Sequence, residues 1–125
     1  MLDASALLAL LNREAGAAQV AGKLDVAWIS TVNWAEVVQK AIERGVARGP
    51  AEMREDLMAM GLELREFTAA QAEVAAGMWP STRSIGLSLA DRACLALALQ
   101  SKAAVLTADR AWAGLVLGLD IQVIR

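Results

Sequence analysis

At 125 residues, 57% of them apolar and 21% charged, the chain is sized for one compact domain spanning 1–125 and is too apolar for intrinsic disorder. With no histidine and one cysteine, Cys94, imidazole acid–base catalysis, a Ser-His-Asp or Cys-His mechanism, an internal disulfide and a thiolate zinc site are all excluded. The net charge of −2 advertises no general affinity for nucleic acid, and the longest run free of charged side chains, Val26 to Ala35, is half of the roughly 20 residues that cross a bilayer.

In chain order, Met1 and Leu2 read as the tail of a strand, followed by an apolar helix over Ala4 to Leu11 and an alanine-rich helix over Glu14 to Leu24. Val26 to Ile29 is a short apolar strand. Asn33 to Arg44 places Val37, Val38, Ala41 and Ile42 at the 3.6-residue period of an amphipathic helix. Gly45 and Gly49 break it, and Pro50 opens a helix to about Met60 that Gly61 stops. Leu62, Leu64 and Phe67 suggest a strand, Thr68 to Met78 a helix, and Trp79-Pro80-Ser81-Thr82 a loop. Ser88 to Lys102 is a helix whose stretch Ala93 to Leu99 is wholly apolar and therefore buried nearly all round; Cys94 in it is a buried small hydrophobe. Ala103 to Leu106 is a strand, Arg110 to Leu117 a helix, and Ile121 to Ile124 the final strand. Short apolar strands separated by helices predict a three-layer α/β domain, a mainly parallel central sheet with helices on both faces.

In such sheets ligands bind beyond the carboxyl ends of the strands, and four carboxylates fall at strand-to-helix junctions or first helical turns: Asp3, Glu36, Asp91 and Asp109. Each has a structural explanation. Ser88-Leu-Ala-Asp91 fits a capping box, Asn33-Trp-Ala-Glu36 is close to one, and Asp109 suits an N-cap. Asp3 resists this reading best, because the elements on both sides of it are apolar and an unpaired buried carboxylate costs several kcal/mol. Clustered carboxylates repel one another unless a divalent cation stands among them. Mg²⁺ or Mn²⁺ prefers such oxygen ligands and leaves positions for phosphate oxygens and for a water activated to attack phosphorus.

The segments Leu2-Asp3-Ala-Ser5, Ser30-Thr-Val-Asn-Trp-Ala-Glu36-Val, Gly86-Leu-Ser-Leu-Ala-Asp91-Arg-Ala-Cys and Val105-Leu-Thr107-Ala-Asp109-Arg-Ala-Trp112 resemble the successive motifs of PIN-domain nucleases, most closely the VapC-type ribonuclease toxins of bacterial toxin–antitoxin pairs. The resemblance spans essentially the whole chain, with 33, 55 and 18 residues between successive acids. It implies a cytoplasmic, Mg²⁺- or Mn²⁺-dependent endoribonuclease acting on RNA, a homodimer, and a cognate antitoxin that blocks the site. It assigns metal binding to Asp3, Glu36, Asp91 and Asp109, and the orientation of these acids or of a water to the hydroxyls of Ser5 and Thr107. One departure is that only Met1 and Leu2 precede Asp3, a shorter first strand than the family normally has.

Arg83, Arg92, Arg110 and Trp34 are candidate RNA contacts near the acidic edge. The alternatives are that Arg92 and Arg110 pair with Asp91 and Asp109 or are solvated, and that the tryptophans anchor the core or an interface. Lys40, Arg44 and Arg48 read as a solvated face. Met53, Met58 and Met60 form an apolar stripe open to ordinary packing or to a partner helix. Other functions fit less well: a non-toxin PIN-type nuclease, a catalytically silent RNA-binding module and, least of all, a receiver-like phosphoacceptor domain, which would want an adjacent acidic pair after the first strand. A D-x-D phosphatase is excluded by Asp3-Ala-Ser5.

Overall fold

Successive residues of an extended chain point to opposite faces, and three adjacent pairs in this protein are divided in that way between two apolar clusters. Leu2, Ile29 and Leu106 belong to one cluster, whereas their chain neighbours Met1, Trp28 and Val105 pack in the other. Two layers of helix are therefore required, one on each side of the strands. The computed structural model describes all residues, Met1 to Arg125, and shows this arrangement. The strands are β1 (Trp28–Ser30), β2 (Glu63–Arg65), β3 (Val105–Thr107) and β4 (Ile121–Val123). The helices are α1 (Ala4–Leu11), α2 (Ala17–Ala21), α3 (Thr31–Glu43), α4 (Pro50–Ala59), α5 (Ala69–Gly77), α6 (Trp79–Thr82) and α7 (Leu89–Ser101).

Strand β1 pairs in parallel with β2, and β3 with β4. The two pairs are joined through Leu2, which bridges in parallel to Ile29 on one side and Leu106 on the other. The order is β2-β1-Leu2-β3-β4, and the short first strand contracts to a single bridging residue. Its hold is nonetheless complete: Leu2 N donates to Trp28 O at 2.8 Å, Leu106 N to Met1 O at 2.8 Å, and Asp3 N to Leu106 O at 3.2 Å. The N-terminal ammonium adds a bond to Ala104 O at 2.8 Å. Ala6 and Leu7 of α1, Val20 of α2, Val37 of α3 and Leu57 of α4 cover one face, while Ala75 of α5, Cys94 to Ala98 of α7 and Trp112 cover the other. Fully buried leucines and isoleucines such as Leu7, Ile29 and Leu95 each contribute about 1.5–3 kcal/mol.

The element order agrees with the sequence reading, and the differences have local causes. Helix α2 is shorter than Glu14 to Leu24 because Gly16, at φ +91°, starts it and Gly22 ends it. A side chain at residue 16 would also meet Ile124 O at 2.6 Å. Helix α3 starts two residues before Asn33, since Ser30 Oγ accepts from Val32 N and takes the capping role. Trp79 to Thr82 is a helical turn rather than a loop: Pro80 sits in its first turn, where a missing N–H costs nothing, and Thr82 Oγ1 donates to Met78 O at 2.8 Å. The helix expected over Arg110 to Leu117 is a 3₁₀ turn, Arg110–Gly114, which ends where Leu115 turns extended and its N–H donates to Trp112 O at 3.0 Å.

Candidate active site

The carboxyl ends of Leu2, β1 and β3 lie side by side, and the chain leaves each of them into a helix or helical turn. At the centre is Asp3, which caps α1 by accepting from Ala6 N at 2.8 Å. Ser5 Oγ donates to both of its carboxylate oxygens at 2.8 Å, and Thr107 Oγ1 donates to Oδ2 at 2.7 Å. Both hydroxyls are themselves held from the β3 side. Ala108 N donates to Ser5 Oγ at 2.8 Å and Asp109 N to Thr107 Oγ1 at 3.0 Å. The two hydroxyls stand 3.3 Å apart, so Asp3 is fixed by the end of β3 as well as by its own helix.

Asp3 is only 3% exposed. Burial is the largest influence on its pKa and raises it to about 6, against the bonds from Thr107, Ala6 and Ser5, with the Asp91 charge adding to the rise. Glu36, half-buried on α3, is likewise raised, first by burial and further by Asp91, while a bond from Asn33 opposes the shift. Asp91 thus stands close enough to act on both other acids, and its own position is set by a capping box. Ser88 N donates to Asp91 Oδ2 at 2.9 Å and Asp91 N to Ser88 Oγ at 3.1 Å.

Asp109 joins this corner through its backbone; its exposed carboxylate accepts from Ala111 N at 2.9 Å and caps the 3₁₀ turn. The arginines take other partners than the acids beside them. Arg92 Nη1 donates to Ala75 O on α5 at 3.0 Å, Arg110 Nε to Arg125 O at 3.3 Å, and Arg83 lies 5.1 Å from the Trp79 ring centroid. Neither Arg92 nor Arg110 is ion-paired with Asp91 or Asp109. Trp34 packs into the core cluster with Val37 and Leu57. Sequence reasoning passed over Asn33 as a site residue. It is fully buried, and its amide nitrogen donates to Glu36 Oε2 at 3.2 Å and Ala90 O at 3.0 Å. An amide one helical turn before the acid was the available signal.

The donor set is all oxygen, and the carboxyls of Asp3 and Glu36 are pushed toward protonation by burial and by the Asp91 charge, which is the environment a hard divalent cation relieves. No three of them are drawn together tightly enough to form a ligand cluster on their own. Mg²⁺ is commonly held by one or two carboxylates with waters completing the shell, so the residues fit such an ion. Asn33 Oδ1, buried and without a partner, adds a further oxygen acceptor beside Glu36. The thiol of Cys94 is pushed up by complete burial, which leaves it inert as a nucleophile.

A second feature is a cavity of about 250 Å³ between the end of α1, α3 and α4. Its floor includes Leu8, Val37, Met53 and Leu57, and Lys40 and Arg44 stand at its wall. The residues expected to form a solvated face therefore partly enclose an apolar groove. Lys40 also pairs with Glu43 at 3.0 Å.

No protein of curated function matches the chain in sequence. In structure it is similar to a chain of a toxin–antitoxin complex from Klebsiella pneumoniae, with a TM-score of 0.71 and 21% identity over 96% of this chain and 98% of that one. It is also similar to a chain of VapBC2 from Rickettsia felis bound to a DNA fragment from their promoter, with a TM-score of 0.69 and 16% identity over 98% of this chain and 96% of that one. At such identities the agreement is one of fold, that of parallel strands with helices on both faces. The sequence supplies the family, because the PIN domain model matches residues 1–115, a span that takes in Asp3, Glu36, Asp91 and Asp109, and the chain belongs to the PIN domain family.

Proposed function

We propose that this PIN domain is a VapC-type toxin, a Mg²⁺- or Mn²⁺-dependent endoribonuclease that hydrolyses RNA phosphodiesters and is neutralised by a cognate antitoxin. The observation that carries the reading is the buried Asp3, clamped by Ser5 and Thr107 and facing the charge of Asp91. A carboxylate kept at this cost in the core has a physical rationale when a cation shares it. One or two of Asp3, Glu36 and Asp91 would hold the ion directly and the others through waters, with Asp109 at the rim. When bound, it would supply charge stabilisation at phosphorus and lower the pKa of a water. Ser5 and Thr107 keep Asp3 in one orientation, and Asn33 and Ser88 do the same for Glu36 and Asp91. Arg83, Arg92 and Arg110 are the candidate contacts for the RNA chain around this corner, whereas Trp34, packed into the core, is not placed to stack on a base.

The antitoxin reading is supported by the groove between α3 and α4 and by the toxin–antitoxin complex among the proteins of similar fold. An apolar antitoxin segment would lie in the groove and reach the acids with a basic side chain in place of the ion. The homodimer reading is supported by Val74, Trp79, Ile85 and Leu89, apolar and exposed along α5, α6 and the start of α7.

Incubating the purified protein with end-labelled RNA tests the activity. Cleavage is expected with Mg²⁺ or Mn²⁺ and not with EDTA, and Asp91→Asn should lower it by about a hundredfold or more, as loss of several kcal/mol of charge stabilisation requires. Undiminished cleavage in EDTA or by Asp91→Asn would overturn the reading.

A further inference from the structure

Glu36 and Asp91 are carried by different helices, α3 and α7, and are 55 residues apart in the chain. Nothing in either helix alone sets the distance between their carboxylates. The only side chain bonded both to one of these acids and to the backbone beside the other is Asn33. Its amide has two N–H donors; one reaches Glu36 Oε2 at 3.2 Å, on the same helix face one turn on, and the other reaches Ala90 O at 3.0 Å, the carbonyl immediately before Asp91. Asn33 is fully buried, so no water competes for these donors, and its burial fixes the amide as firmly as the core around it. No shorter or apolar residue could do this: a hydroxyl has one donor, a carboxylate none, and leucine, of the same branching but greater volume, none.

We propose that Asn33 is a positioning residue that sets the spacing of the Glu36 and Asp91 carboxylates by tying the first to the opening turn of the helix that bears the second. This rests on the reading of the corner as a divalent-cation site. A polar group that holds a ligand in place from behind accounts for about ten- to a hundredfold of metal affinity. The hydroxyls of Ser5 and Thr107 tie Asp3 to the end of β3, whereas Asn33 acts across the boundary between two helices, and the relative placement of α3 and α7 enters the site through it.

Direct Mn²⁺ titration of the RNA-free protein, following free Mn²⁺ by its paramagnetic resonance signal, tests the proposal without recourse to cleavage. Asn33→Leu should weaken binding about tenfold. In a Glu36→Ala background the same substitution should change binding by less than about twofold, because the group it positions is gone. A merely structural role would weaken binding equally in both backgrounds, and that result overturns the proposal, as does a folded Asn33→Leu that binds Mn²⁺ like the wild type. Asn33→Ala, which also lacks both donors, carries the same expectations should the leucine variant fail to fold. A wild-type protein that binds no Mn²⁺ and cleaves no RNA overturns the nuclease reading itself, a failure visible before any substitution is made.

Discussion

Asp3 is a carboxyl buried at a cost to folding, and on the proposed nuclease reading that cost serves the site. It titrates near 6 in the folded protein against 3.8 when exposed, so between about pH 4 and pH 6 the folded chain holds a proton that the unfolded chain has released. Stability in metal-free buffer therefore falls as the pH rises through that window, by about 3 kcal/mol for the shift of Asp3. Urea unfolding in EDTA across pH 4 to 7.5 should show this loss, and Asp3→Asn should flatten it while leaving the protein unable to cleave RNA. An unchanged slope in Asp3→Asn would show that another group carries the pH dependence. Thr107 works in the opposite sense, since its bond to Oδ2 favours the ionised form. Thr107→Val, similar in shape and without the hydroxyl, leaves Asp3 Oδ2 and Asp109 N each short of a partner. It is expected to cost about 1–3 kcal/mol and to extend the pH-dependent window upward, as read from the same unfolding series.

The helix ends are where local chemistry meets the site, since Asp3, Ser30 and Ser88 cap α1, α3 and α7 through their own side chains. A cap and a metal ligand call for the same residue types at the same positions, which is why a structural and a functional reading of Asp91 coexist in the sequence; its geometry shows the capping box. At the end of α4, Gly61 has φ +103°, and a Cβ there would come within 2.5 Å of Asp25 Cα. Backbone against backbone leaves no flexible group to yield. Gly61→Ala is expected to destabilise by more than about 1 kcal/mol, measured as a lower unfolding midpoint; a midpoint equal to the wild type would show that the approach of α4 to the Leu24–Val26 turn is adjustable.

Across the whole molecule, the two apolar clusters do not absorb all of the apolar surface. Trp79 is half exposed, and Val74, Ile85 and Leu89 are open around it. On the homodimer reading this is the covered face. Sedimentation at micromolar concentration should give a dimer, and Trp79→Glu a folded monomer whose thermal midpoint no longer rises with protein concentration, because the stabilisation by the partner is lost. A wild-type monomer, or a Trp79→Glu dimer, would place the interface elsewhere. No helix is long and apolar enough to cross a membrane, as the charge spacing along the chain requires.

The order of strands and helices, the two-sided burial of α7 and the parallel sheet were legible in the sequence, because apolar period and run length are local properties that burial merely ratifies. The presence of acids after strand ends was legible for the same reason. Where the chain offered several local solutions, only packing chose among them. Ser30, Thr31 and Asn33 could each have opened α3; the choice of Ser30 released Asn33 into the core, where its amide meets α7. Arg92 stands beside Asp91 in sequence yet turns to the Ala75 carbonyl, since helical neighbours point about 100° apart and α5 lies on that side. Asp109 keeps its carboxylate at the surface, while its amide reaches Thr107. The residues of the site and their chemistry were thus written locally, whereas their mutual distances belong to helices brought together from 55 residues apart, a relation that exists only once both apolar layers have closed on the sheet.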